Sequence, residues 1–181
     1  MEHVTVPRIE TERLQLRGHR LDDYPACTAM WADPAVTRFI GGTPSSPQQT
    51  WARMLAYVGH WSMRRFGYWA LEEKDSGTFV GELGFADFKR DIAPSMSGVP
   101  ELGWALVSSA HGRGFATEAV RAAVAWGDAA FGSARTVCLI HPDNVASIRV
   151  AQKNDYRVFA STTLNGRATL FLERSTVETT S

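Results

Sequence analysis

A glycine-rich turn between a strand and a helix is the first candidate for chemistry in this sequence. Leu102, Trp104 and Leu106 alternate with smaller residues, which predicts a strand that ends near Val107. Apolar residues then recur at helical spacing, at Phe115, Ala119, Ala122, Trp126 and Ala130. The first N–H groups of a helix have no partner within the helix, and the helix dipole favours negative charge there. The turn between strand and helix therefore predicts a binding site for a phosphate-bearing ligand.

The residues of the turn suit an anion. Gly112 and Gly114 let the backbone approach a phosphate and adopt positive φ angles. Thr117 adds a hydroxyl, and Arg113 adds a guanidinium. An ordinary tight loop before a helix would look similar, so this alternative stays open on the turn alone. The P-loop pattern is absent, and Thr117 stands where a dinucleotide-binding fold needs its third glycine, so both of these nucleotide-binding classes are disfavoured.

The same turn resembles the acetyl-CoA-binding motif of the GNAT superfamily of N-acetyltransferases, Q/R-x-x-G-x-G/A. Gly114 and Ala116 match this motif, and His111 stands at the position of the usual Gln or Arg. The longer run from Gly112 to Ala119 resembles the branch that contains the ribosomal-protein N-terminal acetyltransferases. The resemblance implies that backbone N–H groups hold a pyrophosphate. The cofactor-binding residues that it implies here are Leu106, Val107, His111, Gly112, Arg113, Gly114, Phe115, Ala116 and Thr117.

A second motif follows downstream and resembles another GNAT signature, N-x-x-S-x-x-x-x-x-K-x-G-F/Y. Asn144, Ser147, Lys153 and Tyr156 fit this pattern, and Asp155 replaces its usual glycine. The resemblance implies that Asn144 and Ser147 also bind the cofactor. The alternative for Asn144 is a helix cap, and for Ser147 a polar residue of the first turn in contact with water. For Tyr156 we favour a place in the hydrophobic core.

The catalytic candidates follow from the needs of direct acyl transfer, because no Cys–His or Ser–His–Asp set is evident. Attack on a thioester needs a neutral amine, donors for the oxyanion and a hydrogen bond or proton for the leaving thiolate. Glu101 is the candidate base, directly or through water, and Glu82 is the second choice. The alternative for Glu101 is a solvated carboxylate at a strand end. Ser147 is the candidate for stabilising the thiolate, and the Val107 backbone for holding pantetheine or polarising the thioester carbonyl.

The rest of the chain supplies elements that position these residues, in the order β-α-α-β-β-β-α-β-α-β-β. Predicted strands cover residues 13–17, 67–71, 78–85, 101–107, 136–140, 156–163 and 168–173. Predicted helices begin at Asp22 or Asp23, Ser46, Phe115 and Asn144. The predicted core face of the helix after Ser46 consists of Trp51, Met54, Leu55, Val58 and Trp61. This order matches the α/β fold that the resemblance implies: a GNAT-like mixed, mostly antiparallel sheet with a central parallel strand pair splayed apart, flanked by helices.

The composition favours one globular domain. The chain has 181 residues, 44% apolar and 21% charged; we assign residues 1–174 to a single acyl-CoA N-acyltransferase domain and 175–181 to a polar tail. Lys plus Arg equals Asp plus Glu at 19 each, which disfavours nucleic acid as the main ligand. Cys27 and Cys138 are expected to be free thiols, and no metal site is predicted. No apolar run could span a membrane and residues 1–4 do not start a signal peptide, which predicts a cytoplasmic protein.

The sequence thus predicts an acetyl-CoA-dependent N-acetyltransferase that moves an acetyl group directly to a primary amine of a small molecule or a protein N-terminus. Acetyl-CoA is the expected acyl donor, and no membrane partner is expected. Two alternatives stay open: a non-catalytic acyl-CoA-binding module and a nucleotide-binding regulatory domain. The chain carries no acceptor motif, and its six tryptophans leave room for an aromatic interface in a homodimer.

Overall fold

A computed structural model of the chain describes residues 5–132 and 135–175. The strands within these residues are β1 (Ile9–Glu10), β2 (Leu14–Arg17), β3 (Tyr68–Glu73), β4 (Thr78–Ala86), β5 (Glu101–Leu106), β6 (Thr136–Ile140), β7 (Arg157–Leu164) and β8 (Arg167–Arg174). They form one sheet in the order β1-β2-β3-β4-β5-β6-β8-β7. Every pair is antiparallel except β5 and β6, which are parallel. The predicted fold class is confirmed; the predicted tail lies outside the described residues beyond Ser175.

Five α-helices within the described residues flank the sheet. They are α1 (Tyr24–Ala32), α2 (Pro34–Thr37), α3 (Pro47–Arg64), α4 (Phe115–Phe131) and α5 (Val145–Gln152). The predicted start of α3 is confirmed, because Ser46 Oγ accepts the Gln49 N–H at 3.2 Å and Gln49 Oε1 accepts the Ser46 N–H at 2.8 Å. None of the described helices has the length and apolarity that a membrane span requires.

The helices cover opposite faces of the sheet. On β5, Ala105 packs against Trp31 of α1, while Leu102 joins the cluster that contains Val120 and Ala123 of α4. Successive strand residues point to opposite faces, so α1 and α4 lie on different sides of β5. The strand therefore separates a face covered by α1 from a face covered by α4.

The predicted core face of α3 is partly wrong. The buried stripe consists of Thr50, Met54, Tyr57 and Trp61, whereas Trp51, Leu55 and Val58 are exposed. The sheet decides the orientation of the helix: the Tyr57 ring stacks on the Tyr68 ring at 4.3 Å between centroids, and Trp61 Nε1 donates to the Tyr68 carbonyl at 2.9 Å. The prediction chose the face of the helix with the most apolar residues, because the apolar pattern of a sequence contains no information about these two contacts with Tyr68.

Strands β5 and β6 separate soon after they meet. Glu101 pairs with Val137, and the Val137 N–H donates to the Pro100 carbonyl at 3.1 Å. Beyond this point β5 continues along β4, from Ala86 to Gly81, while β6 continues along β8. The predicted splayed parallel pair is therefore confirmed, and it leaves one edge of β5 facing open space.

A buried ion network holds β2 to the start of α1. Arg17 donates to both carboxylate oxygens of Asp23, at 2.8 and 2.7 Å, and to Glu72 Oε2 at 2.8 Å. Burial alone would raise the pKa of Asp23, but the hydrogen bonds from Arg17 and from the Arg20 N–H outweigh it and lower that pKa. The network thus favours the ionised form of a buried carboxyl.

We predict that Arg17→Met lowers the free energy of unfolding by about 3–5 kcal/mol, because removing Arg17 leaves the buried Asp23 carboxylate without its cation. Chemical denaturation followed by circular dichroism measures this loss, and Arg121→Met, at an exposed position, is the matched control. Since the folded-state pKa of Asp23 is lowered, its contribution is present at neutral pH and is lost as the pH falls through that pKa. The difference in free energy of unfolding between wild type and Arg17→Met should therefore become smaller in acid. A difference that does not change with pH would contradict this account.

Candidate active site

A cavity of about 480 Å³ opens where β5 and β6 part. Its walls include residues 102–105 of β5, residues 139–141 at the end of β6 and Thr169 of β8. Asn144 and Ser147 at the start of α5 also line it, as do the N-terminal helices α1 and α3. Several predicted site residues are therefore brought to one cavity, although they lie far apart in sequence.

The glycine turn has the backbone that an anion site requires. Gly112 and Gly114 adopt positive φ angles of 74° and 81°, as predicted. Gly114 is the N-cap of α4 and gives the helix no side-chain cap, and the first helical bond runs from the Glu118 N–H to the Gly114 carbonyl at 3.1 Å. The N–H groups of Phe115, Ala116 and Thr117 come before this first bond, so they have no hydrogen-bond partner within the helix. This end of α4 is suited to a phosphate.

Arg113 is engaged by the protein itself. Its guanidinium forms an ion pair with Glu73 and stacks on the Phe115 ring at 4.2 Å. The hydrogen bond from Arg113 holds the pKa of Glu73 below its ordinary value. Arg13 fixes the turn from the other side, donating to the Arg113 carbonyl at 2.8 Å and to Glu118 at 2.7 Å. The turn is thus held in place before a ligand binds, and the Arg113 side chain contributes to that rigidity.

His111 connects the turn to the end of β5. Its Nε2 atom lies 2.9 Å from the Leu106 carbonyl oxygen, so the ring donates a hydrogen bond when Nε2 carries the proton. His111 therefore connects the end of β5 to the glycine turn. It does so from the position at which the motif that this turn resembles has Gln or Arg.

The backbone of Val107 is already used within the protein. Its N–H donates to the Val80 carbonyl at 3.0 Å, and its carbonyl accepts the Ala110 N–H at 2.9 Å. The predicted role of the Val107 N–H at a thioester carbonyl is therefore not supported by this geometry. Because alternate strand residues direct their N–H groups to opposite sides, those of Trp104 and Leu106 face the opening instead.

The second motif forms the start and end of α5. Asn144 Oδ1 accepts the Ser147 N–H at 3.2 Å, so Asn144 is a helix cap as well as a wall of the cavity. Asp155, which replaces the usual glycine, has a φ of 66° just after the helix, where the left-handed region favours glycine. Tyr156 is fully buried and its hydroxyl pairs with Thr136 Oγ1 at 2.7 Å, in agreement with the predicted core position.

Glu101 is a buried cavity residue, so the alternative of a solvated strand-end carboxylate is wrong. Its side chain lies at the first position of β5 and is 8% exposed. Arg90 donates to both of its oxygens, at 2.6 and 2.9 Å. Each carboxylate oxygen keeps a further lone pair, so the pair orients Glu101 and leaves it able to accept a proton or hydrogen bond from a cavity ligand.

Glu82, the second candidate base, is a fully buried residue of β4. Its oxygens accept from Trp31 Nε1 at 2.8 Å and lie 3.2 Å from His19 Nε2 and 3.8 Å from Cys27 Sγ. Metal-ligand-type atoms of His19, Cys27 and Glu82 lie within 4.8 Å of one another, a cluster that the sequence spacing did not reveal. Burial, then the Glu82 charge, raises the pKa of Cys27, which keeps the thiol protonated as a donor. We therefore interpret the group as a hydrogen-bonded network that anchors Trp31.

Two tyrosines of the cavity wall were not predicted as site residues. Tyr57 and Tyr68 stack with an interplanar angle of 1°, and burial raises the pKa of both phenols. Both hydroxyls therefore stay protonated and are available as donors. The Tyr68 hydroxyl lies 2.2 Å from where a Cβ on Gly103 would be, so this glycine admits it. The sequence did contain one indication of this contact. Gly103 lies inside the predicted strand, and a glycine there often marks a site where another group approaches closely.

Comparison with known proteins gives a consistent result. Residues 13–157 match the model of the Acetyltransferase (GNAT) domain. The uncharacterised N-acetyltransferase p20 of Bacillus licheniformis is 27% identical over 141 residues, which cover 77% of this chain and 76% of the relative. A solved structure from Bordetella pertussis, assigned to the GnaT acetyltransferase family, is 31% identical, with a TM-score of 0.84 over 94% of this chain and 100% of the other.

The fold is also shared with RimL, a ribosomal alpha-N-protein acetyltransferase solved in complex with coenzyme A. That structure has a TM-score of 0.76 at 18% identity and covers 93% of this chain and 98% of the other. The fold, the site and these matches together define an N-acetyltransferase. The chain belongs to the GNAT acetyltransferase family.

We predict that Gly103→Ala destabilises the protein and disturbs the tyrosine stack, because the new Cβ would lie 2.2 Å from the Tyr68 hydroxyl. Overpacking of this kind costs about 1–3 kcal/mol. Removing the hydroxyl should relieve the clash, since the next Tyr68 atom is at 3.4 Å. The double variant Gly103→Ala/Tyr68→Phe should therefore recover most of the loss in thermal denaturation. Additive losses in the double variant would show that Gly103 does not serve to admit this hydroxyl.

Proposed function

We propose that the protein is an acetyl-CoA-dependent N-acetyltransferase that moves an acetyl group directly to a primary amine of a small molecule or a protein N-terminus. The observation that carries this proposal is the unpaired edge of β5, which runs between the glycine turn and a cavity with a buried carboxylate. A single domain, residues 1–174, would bind both substrates. The two buried free thiols, Cys27 and Cys138, are consistent with a cytoplasmic location.

The donor would lie along the unpaired edge of β5. Its pyrophosphate would be held by the N–H groups of the turn and of the first residues of α4, from Gly112 to Thr117. The uncharged pantetheine arm would take the place of a strand beside β5, with the Trp104 and Leu106 N–H groups available to it. Asn144 and Ser147 line the same cavity and would contact the arm near its thiol end.

Glu101 would accept the proton released by the amine. As the amine nitrogen attacks the thioester carbonyl carbon, a C–N bond forms, and the nitrogen passes a proton to Glu101 directly or through one water. Collapse of the tetrahedral species breaks the C–S bond, and the thiolate leaves with a hydrogen bond from Ser147. The protonated Tyr68 hydroxyl and the free N–H groups of β5 are donors available to the oxyanion.

We predict that coenzyme A binds with measurable heat in calorimetry and that ATP binds far more weakly, because only the former has an arm for the edge of β5. Gly112→Ala should weaken coenzyme A binding about tenfold, the equivalent of about one charge-assisted hydrogen bond. Gly98→Ala is the matched control, since both glycines have open surroundings and φ angles of 74° and 75°. Equal losses in both variants, or preference for ATP, would contradict the assigned phosphate site.

We predict that Glu101→Gln lowers kcat by about 10²–10⁴-fold, the contribution typical of a general base, while coenzyme A affinity stays unchanged. Release of coenzyme A thiol over a panel of amines and peptides measures this, with the exposed Glu12→Gln as control. Ser147→Ala should lower kcat less, through the leaving thiolate. Full turnover of Glu101→Gln at every pH would exclude Glu101 as base, and binding of coenzyme A without any transfer would favour a non-catalytic module.

A further inference from the structure

The cavity carries more positive than negative charge. Three arginines, Arg53, Arg90 and Arg167, line it, against one carboxyl side chain, Glu101. Arg90 and Glu101 form a bidentate pair and so neutralise each other. Among the residues that the structure describes, no carboxylate lies within salt-bridge distance of Arg53 or Arg167. Two guanidinium charges therefore remain uncompensated at the cavity wall.

Arg53 is held in a defined position. Its guanidinium carbon lies 3.7 Å from the centroid of the Trp31 ring, and its Nη1 donates to Ser45 Oγ at 3.3 Å. Trp31 is itself fixed, because its Nε1 donates to the buried Glu82 at 2.8 Å. A guanidinium that stacks on a fixed indole loses little freedom on binding an anion, and it still has N–H groups to donate.

Arg167 extends from β8 to the segment that follows α2. It is the first residue of β8, and its Nη2 donates to the Arg38 carbonyl at 3.0 Å, just after α2. Its Nη1 lies only 2.2 Å from where a Cβ on Gly42 would be, so the absence of a side chain at Gly42 admits it. Arg167 thus connects the β7–β8 hairpin with the loop before α3, and its guanidinium lines the same cavity as that of Arg53.

These two charges are not needed by the proposed acyl donor. The phosphate site lies in the glycine turn and the start of α4, and residues 111–117 do not line the cavity. The pantetheine arm that would enter the cavity is uncharged. The uncompensated charges of Arg53 and Arg167 are therefore available to the acceptor.

We propose that the acceptor amine also carries a carboxylate, which Arg53 and Arg167 bind while the amine faces Glu101. This inference rests on the proposed function and names its substrate class: amino acids and peptides with an anionic group, as opposed to polyamines. The charge balance supports it in two ways. A carboxylate matches a planar guanidinium fork, and the excess positive charge disfavours an ammonium ion and so favours the neutral amine that attacks.

The test compares acceptors that differ in one charge, with coenzyme A thiol release as the readout. The pairs are glutamate with glutamine, aspartate with asparagine, and alanine with alaninamide; a diamine represents the polyamines. Peptides that begin with an acidic or a neutral residue distinguish a side-chain carboxylate from a free α-carboxylate. We expect kcat/KM for the anionic member of at least one pair to be about 10- to 100-fold higher, as one charge-assisted contact provides.

The variants Arg53→Gln and Arg167→Gln should remove most of that preference by raising KM for the anionic acceptor, with little change for its neutral partner. Arg53→Lys should restore part of it, because the charge returns without the planar fork. Arg157→Gln, at an exposed position of β7, is the control. Equal or better turnover of neutral acceptors or the diamine, or an unchanged preference in both variants, would overturn the proposal.

Binding of the acetylated products keeps this inference separate from the proposed function. Calorimetry with N-acetylglutamate against N-acetylglutamine, and with N-acetylalanine against N-acetylalaninamide, in the presence of coenzyme A, should show tighter binding of the more anionic product in at least one pair. Arg53→Gln should abolish that difference. This binding experiment does not require turnover, so it tests the substrate class even if no thiol release is seen. Absence of both coenzyme A binding and transfer would reject the proposed function, whereas transfer to amines without charge preference would reject the substrate class alone.

Discussion

The separation of β5 from β6 is the constraint on which the rest of the structure depends. Two adjacent strands in the middle of a sheet would normally satisfy each other's N–H and C=O groups, and a buried group left unpaired is costly. Here the two strands pair at Glu101 and Val137 and then part. The free edge of β5 is tolerable only if water or a ligand supplies its partners, which makes this edge the natural place for an extended, hydrogen-bonding molecule.

The neighbouring elements hold the two strands apart. Strand β4 pairs with β5 from Ala86 to Gly81, and β8 pairs with β6 along its length. Helix α4 anchors one face of β5 through Phe115 and the residues that follow, while the stacked pair of Tyr57 and Tyr68 covers the other face. The opening therefore lies within a rigid frame, and the glycine turn, fixed by Arg13 and Arg113, stands at one end of it.

Short-range patterns in the sequence predicted those parts of the structure that depend on residues close together along the chain. The positive φ angles of Gly112 and Gly114, the cap at Ser46 and the splayed strand pair follow from turn chemistry, capping rules and family resemblance. The orientation of α3 did not follow, because contacts of Tyr57 and Trp61 with Tyr68 outweigh apolar content. The Arg90 partner of Glu101 and the Arg53–Trp31 stack also escaped prediction. Both join residues distant in sequence, and nothing in the local pattern of either partner marks the other.

Amide hydrogen exchange of β5 tests the central claim most directly. If the donor's arm lies along the free edge of this strand, saturating coenzyme A should slow exchange of the Trp104 and Leu106 N–H groups, while exposed amides of β7 keep their rates. The Val107 N–H, already bonded to Val80, should change little. Unchanged exchange at Trp104 and Leu106 in protein that is saturated with coenzyme A would contradict the account.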